Sequence, residues 1–235
     1  MRTRNHLRAG HFTNLIPAWS GVWALIWKDC VQALREFNIR SIISWLVLFS
    51  LSFGMLIAPD WGMRFWVFFV WGLLIGHVCS KRFSSDLNLW VVFGLMPFSF
   101  KKTLLVEITN PVLGAIMLCW FAYAICSFTG LHPSMPVAVL APGVILCITL
   151  AAVFDILRQS KTDALLAGHV NEMGVVGLLF GLFLAGLPLA LVMWISSQMR
   201  TGVILWIPSL LGLFLSLGIA YGIWHLALYQ YRNIK

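Results

Sequence analysis

The chain has 235 residues, of which 60% are hydrophobic and only 10% charged, and its formal net charge is +8. An ordinary soluble domain carries roughly a quarter charged residues, so this composition argues against a water-soluble fold and for a chain surrounded by lipid. In that setting the positive charge reflects an orientation bias and attraction to anionic lipid headgroups, and it implies no nucleic-acid partner.

Residues 13–38 are the first predicted element. Trp19, Trp23, Ile26, Cys30, Leu34 and Phe37 recur three or four residues apart, and Lys28, Gln32, Arg35 and Glu36 fall opposite them. Tryptophans toward the acyl boundary and charges toward water predict a helix lying along the membrane, with Trp19, Trp23, Ile26, Trp27, Lys28 and Arg35 as its anchoring residues. The same pattern also suits a helix packed on another protein. No apolar signal core occurs near the start, so the first span is expected to direct insertion.

A hydrocarbon core about 30 Å thick takes roughly 20 helical residues to cross, at about 1.5 Å each. Residues 41–58, 64–80, 103–130, 135–157, 172–198 and 202–228 supply apolar runs of about that length or more. Their length and lack of alternation favour helices over barrel strands, which need only about 10 residues with a period of two. The predicted fold is therefore an all-α integral membrane protein: one domain of six transmembrane helices preceded by an interfacial helix.

The connections are unequal. Those near Asp60 to Arg64, Gly130 to Ser134 and Gln198 to Gly202 are too short for an ectodomain. Residues 81–102 are too many for a tight turn and too apolar for a solvated loop. Ser84 or Ser85 is expected to cap a short helix from Asp86 to Leu95, which Pro97 ends, and Ser99 then caps the third span. Leu87, Trp90, Phe93, Leu95 and Met96 give that segment more apolar surface than water tolerates, so a partner is expected to cover it. The loop at 158–171 reads as a solvated connector or a contact surface. Placing both termini in the cytoplasm puts every Lys and Arg except Arg64 and Arg200 on the inner side, as cationic loops require.

Catalytic motifs are missing. There is no phosphate-binding loop, no His-Glu-x-x-His and no nucleophile elbow, so the chain is not expected to be an enzyme. Two intramembrane carboxylates stand out, because such groups are costly in lipid. Glu107 is expected to reach water or Lys102 and Asp155 to pair with Arg158 at the surface, with the bundle interior as the alternative for both. His77 and His225, as two separated histidines, do not define a metal or haem ligand set, and the five cysteines read as small apolar residues. Gly72/Gly76, Gly177/Gly181 and Gly218/Gly222 permit close helix approach, expected mainly within the chain.

Trp27-Lys28-Asp29 with Leu34-Arg35-Glu36, and Phe93-Gly94-Leu95-Met96-Pro97-Phe98-Ser99, resemble two segments of the membrane subunit of type-2 ABC transporters, the ABC-2 exporter family. The first pair looks like the family's amphipathic N-terminal segment, the second like its approach to span three. Glu107 stands where many relatives have a lysine near the start of that span. The resemblance implies an exporter permease in the plasma (inner) membrane that binds no cofactor itself. Its partners would be a second membrane subunit, identical or different, and ABC ATPase subunits that use ATP and Mg. Asp86, Leu87, Trp90, Phe93, Leu95, Met96 and Pro97 would then dock in the ATPase. The alternative reading is a membrane scaffold or accessory subunit that transports nothing.

Overall fold

The structure, a computed structural model, describes residues 31, 39–58, 60–93, 99–163, 175–198 and 206–232. Among them are six helices: α1 (Ile39–Ile57), α2 (Trp61–Phe93), α3 (Phe100–Phe128), α4 (Met135–Asp163), α5 (Val175–Gln198) and α6 (Trp206–Arg232). Helices α2 to α6 each contain a stretch long and apolar enough to cross a membrane, and α1 holds a shorter one, Ile42–Ile57. The interfacial helix expected at 13–38 lies outside the described residues except for Val31, which is helical and buried.

Two elements run on further than the sequence suggests. Residues 81–93 belong to α2 without interruption, so no separate helix begins at Ser84 or Ser85. A serine favours a helix start only where the chain has already left the helix. Between Gly76 and Phe93 there is neither glycine nor proline to break the ladder, and propagation adds a hydrogen bond for each residue fixed. For the same reason α4 continues through Arg158 to Asp163, into the stretch expected to be a loop.

Successive helices alternate in direction. At the end of α1 the freed carbonyls find local donors: Ser134 N–H donates to Leu56 O at 2.9 Å and Arg64 Nε–H to Ala58 O at 2.5 Å. These bonds satisfy groups that lipid cannot. Gly130, at φ +76°, takes the left-handed conformation that turns the chain after α3.

Helix α4 is the axis of the bundle and packs against all five other helices. Of its apolar stretch 78% is buried, against 28% for α6. The outward faces are apolar: Leu113, Met117 and Phe121 on α3, Leu179, Phe180 and Phe183 on α5, and Leu211 and Phe214 on α6 are all exposed. So much exposed hydrocarbon has its natural complement in lipid tails. Phe65, Trp66, Phe128, Trp194 and Trp206 are exposed near the helix ends at one boundary, the interfacial position where amphipathic rings collect.

Candidate functional site

Apolar side chains gain little by leaving lipid for one another, so close packing and internal polar bonds must hold such a bundle together. Glycines provide the packing. A Cβ on Gly181 would stand 2.4 Å from Ala151 Cβ, and one on Gly177 would stand 2.3 Å from Asp155 Cβ and 2.7 Å from the Ala151 carbonyl oxygen. Gly72 and Gly76 leave room on α2 for Leu182 and Leu178 of α5, with Ile148 of α4 beside them. Four of the six glycines singled out in the sequence thus make intramolecular seams. Gly218 and Gly222 meet nothing within 4 Å and lie on the outward face of α6, near the edge-on pair of Tyr221 and His225, whose ring centroids are 4.5 Å apart.

Polar bonds reinforce the seams. Trp71 Nε1–H of α2 donates to Ser52 Oγ of α1 at 2.8 Å, and Cys147 Sγ–H of α4 donates to the Ser216 carbonyl of α6 at 2.9 Å. Pro142 has no N–H, which removes the helical donor that the Ala138 carbonyl would otherwise have. Trp120 Nε1–H of α3 donates to that carbonyl at 3.1 Å. The sequence reading missed this indole; its signal was a proline within an apolar run, which always leaves a carbonyl to be matched.

The two intramembrane acids are both turned into the protein. Glu107 and Asp155 are each 1% exposed, so Glu107 does not reach out to water. Asp155 Oδ1 pairs with Arg158 at 3.3 Å as expected, yet only the arginine, at 53%, is at the surface. Asp155 sits inward where Gly177 of α5, lacking a side chain, leaves room for its Cβ. His77 keeps Nδ1 buried without a hydrogen-bond partner, and Asn110 keeps Nδ2 likewise. Among the described residues no three of His, Cys, Asp and Glu converge as a metal site would need.

The candidate site is the far end of α2. Its apolar stretch, Gly62–Lys81, has 20 residues and is about 30 Å long, which matches the hydrocarbon core. The helix then continues from Arg82 to Phe93, roughly another 18 Å. Asp86, Leu87, Trp90 and Phe93 are on this continuation, whereas Leu95, Met96 and Pro97 lie outside the described residues. So do Trp19, Trp23, Ile26, Trp27, Lys28 and Arg35. The structure thus joins four of the seven expected docking residues directly to a span.

These features define a class: a multi-pass helical membrane protein built around a central, nearly enclosed helix. Comparisons with protein-family models, curated proteins and solved structures gave no match to this chain.

Proposed function

We propose that the chain is the permease subunit of an ATP-driven exporter of the type-2 ABC class, embedded in the plasma (inner) membrane with both termini in the cytoplasm. It would pair with a second membrane subunit and be driven by separate ATPase subunits that bind the nucleotide. The observation that supports this reading best is the continuous helix Trp61–Phe93, which is about 50 Å long and so exceeds the hydrocarbon core by roughly 20 Å.

A rigid projection is what a motor needs to grip. Force applied near Trp90 travels along an unbroken hydrogen-bonded helix into the span, with no intervening loop to absorb it. Within the membrane, that span bears on α5 and α4 through Gly72 and Gly76, and on α1 through the bond from Trp71 to Ser52. A push on the projection would tilt α2 and shift these neighbours together, opening a path at the boundary with the second subunit.

The test is co-purification. Replacing Trp90 and Phe93 together with aspartate should abolish recovery of an ATPase with the tagged chain, while membrane insertion and yield stay near those of the parent. Undiminished recovery of the ATPase, or full activity with no ATPase attached, would remove the basis for the assignment.

A further inference from the structure

We infer that the corner where α2 leaves the apolar layer and α3 enters it binds the headgroup of an anionic phospholipid, through Lys81, Lys101 and Lys102. Lys81 closes the apolar stretch of α2, and Lys101 and Lys102 stand at the opening of the α3 stretch, Phe100–Phe128. Phe83 and Phe100, close to these lysines in the chain, are both buried, and α2 packs against α3. All three lysines are exposed.

Among the acids whose side chains are described, none stands exposed beside these lysines. Glu107 and Asp155, toward the same end of the bundle, are enclosed at 1% exposure, and the first turn of α3 contains no acid. The exposed Asp60 belongs to the opposite boundary. Among the residues whose side chains are described, this corner therefore presents cations with no exposed carboxylate beside them. Neighbouring ammonium groups repel one another, and a counter-charge between them relieves that repulsion.

Position selects the occupant. A protein partner gripping the end of α2 would meet Trp90 and Phe93, which lie well beyond Lys81 along the helix axis. The lysines instead stand at the ends of the apolar stretches, which for a hydrocarbon core of about 30 Å corresponds to the depth of lipid phosphates. A lysine at that position can lay its long apolar stem along the helix and place its ammonium among the headgroups.

Native mass spectrometry of the full chain, purified in mild detergent, tests this directly. Phosphatidylglycerol or phosphatidylcholine with the same acyl chains is added. The parent should retain the anionic lipid in clear preference, and raised salt should weaken that retention. Each Lys→Gln change should lower retention by roughly five-fold, from the usual worth of one basic residue near a charged membrane surface. The triple change Lys81→Gln, Lys101→Gln, Lys102→Gln should remove the preference, while the triple Lys→Arg variant keeps it and shows that the fold tolerates substitution there. Excess inorganic phosphate should not displace the lipid.

Equal retention of both lipids by the parent would overturn the inference, as would an undiminished preference in the triple glutamine variant. Loss of a co-purifying ATPase with lipid preference intact would make the corner a protein contact and overturn it equally. The measurement needs no ATPase, so its failure is distinguishable from failure of the transporter reading.

Discussion

Alanine at Gly177 should loosen α5 from the central helix and sharply lower the yield of folded protein. The added methyl would stand 2.7 Å from the Ala151 carbonyl oxygen and 2.3 Å from Asp155 Cβ, so α4 and α5 must move apart for it to fit. Overpacking of this kind typically costs about 1 to 3 kcal/mol, and an obstruction made partly of backbone favours the upper end. Separation would also pull Asp155 from the start of α5. Gly181→Ala should act in the same direction through Ala151. By contrast, Gly218→Ala and Gly222→Ala fill open space, and each removes a glycine that weakens a helix by about 0.8 to 1 kcal/mol relative to alanine. Thermal unfolding in detergent, followed by circular dichroism, should therefore place the first two variants below the parent and the last two at or above it. Similar losses at all four positions would mean that the α4–α5 seam has no special role.

The second large effect concerns Trp120. Its change to phenylalanine keeps most of the ring but leaves the Ala138 carbonyl without the donor that Pro142 cannot supply. An unsatisfied buried carbonyl costs about 1 to 3 kcal/mol. The diagnostic experiment is a double-mutant cycle. Pro142→Ala restores an N–H at the position from which a helix serves that carbonyl, so Trp120→Phe should cost much less in that background than in the parent. Additive losses, with no rescue by alanine, would show that the indole acts by packing alone.

Much of the architecture was legible because a bilayer core imposes a length. Apolar runs at 103–130, 135–157, 172–198 and 202–228 could be read directly, and helices are found at Phe100–Phe128, Met135–Asp163, Val175–Gln198 and Trp206–Arg232, since no other structure hides that many backbone groups from lipid. The end of α2 was less legible. Ser84 and Ser85 look like a cap in isolation, and only continuity of the hydrogen-bond ladder through them decides otherwise. The acids were ambiguous for a related reason. Glu107 and Asp155 lie near helix ends, where a side chain can turn outward or inward, and local sequence does not state what the neighbouring helix offers.

What the sequence alone determined is the solvent and the class: lipid surrounds this chain, and helices several times repeated cross it, because hydropathy and length are properties of one segment at a time. What only the tertiary structure decided is which segment lies at the centre, which glycines are occupied, and which way the carboxylates face. Those depend on pairing between distant segments. Helices α4 and α5 have similarly apolar stretches, yet α4 alone is enclosed on nearly every side, because Gly177 and Gly181 of α5 admit Ala151 and Asp155 while Trp120 of α3 closes the break at Pro142.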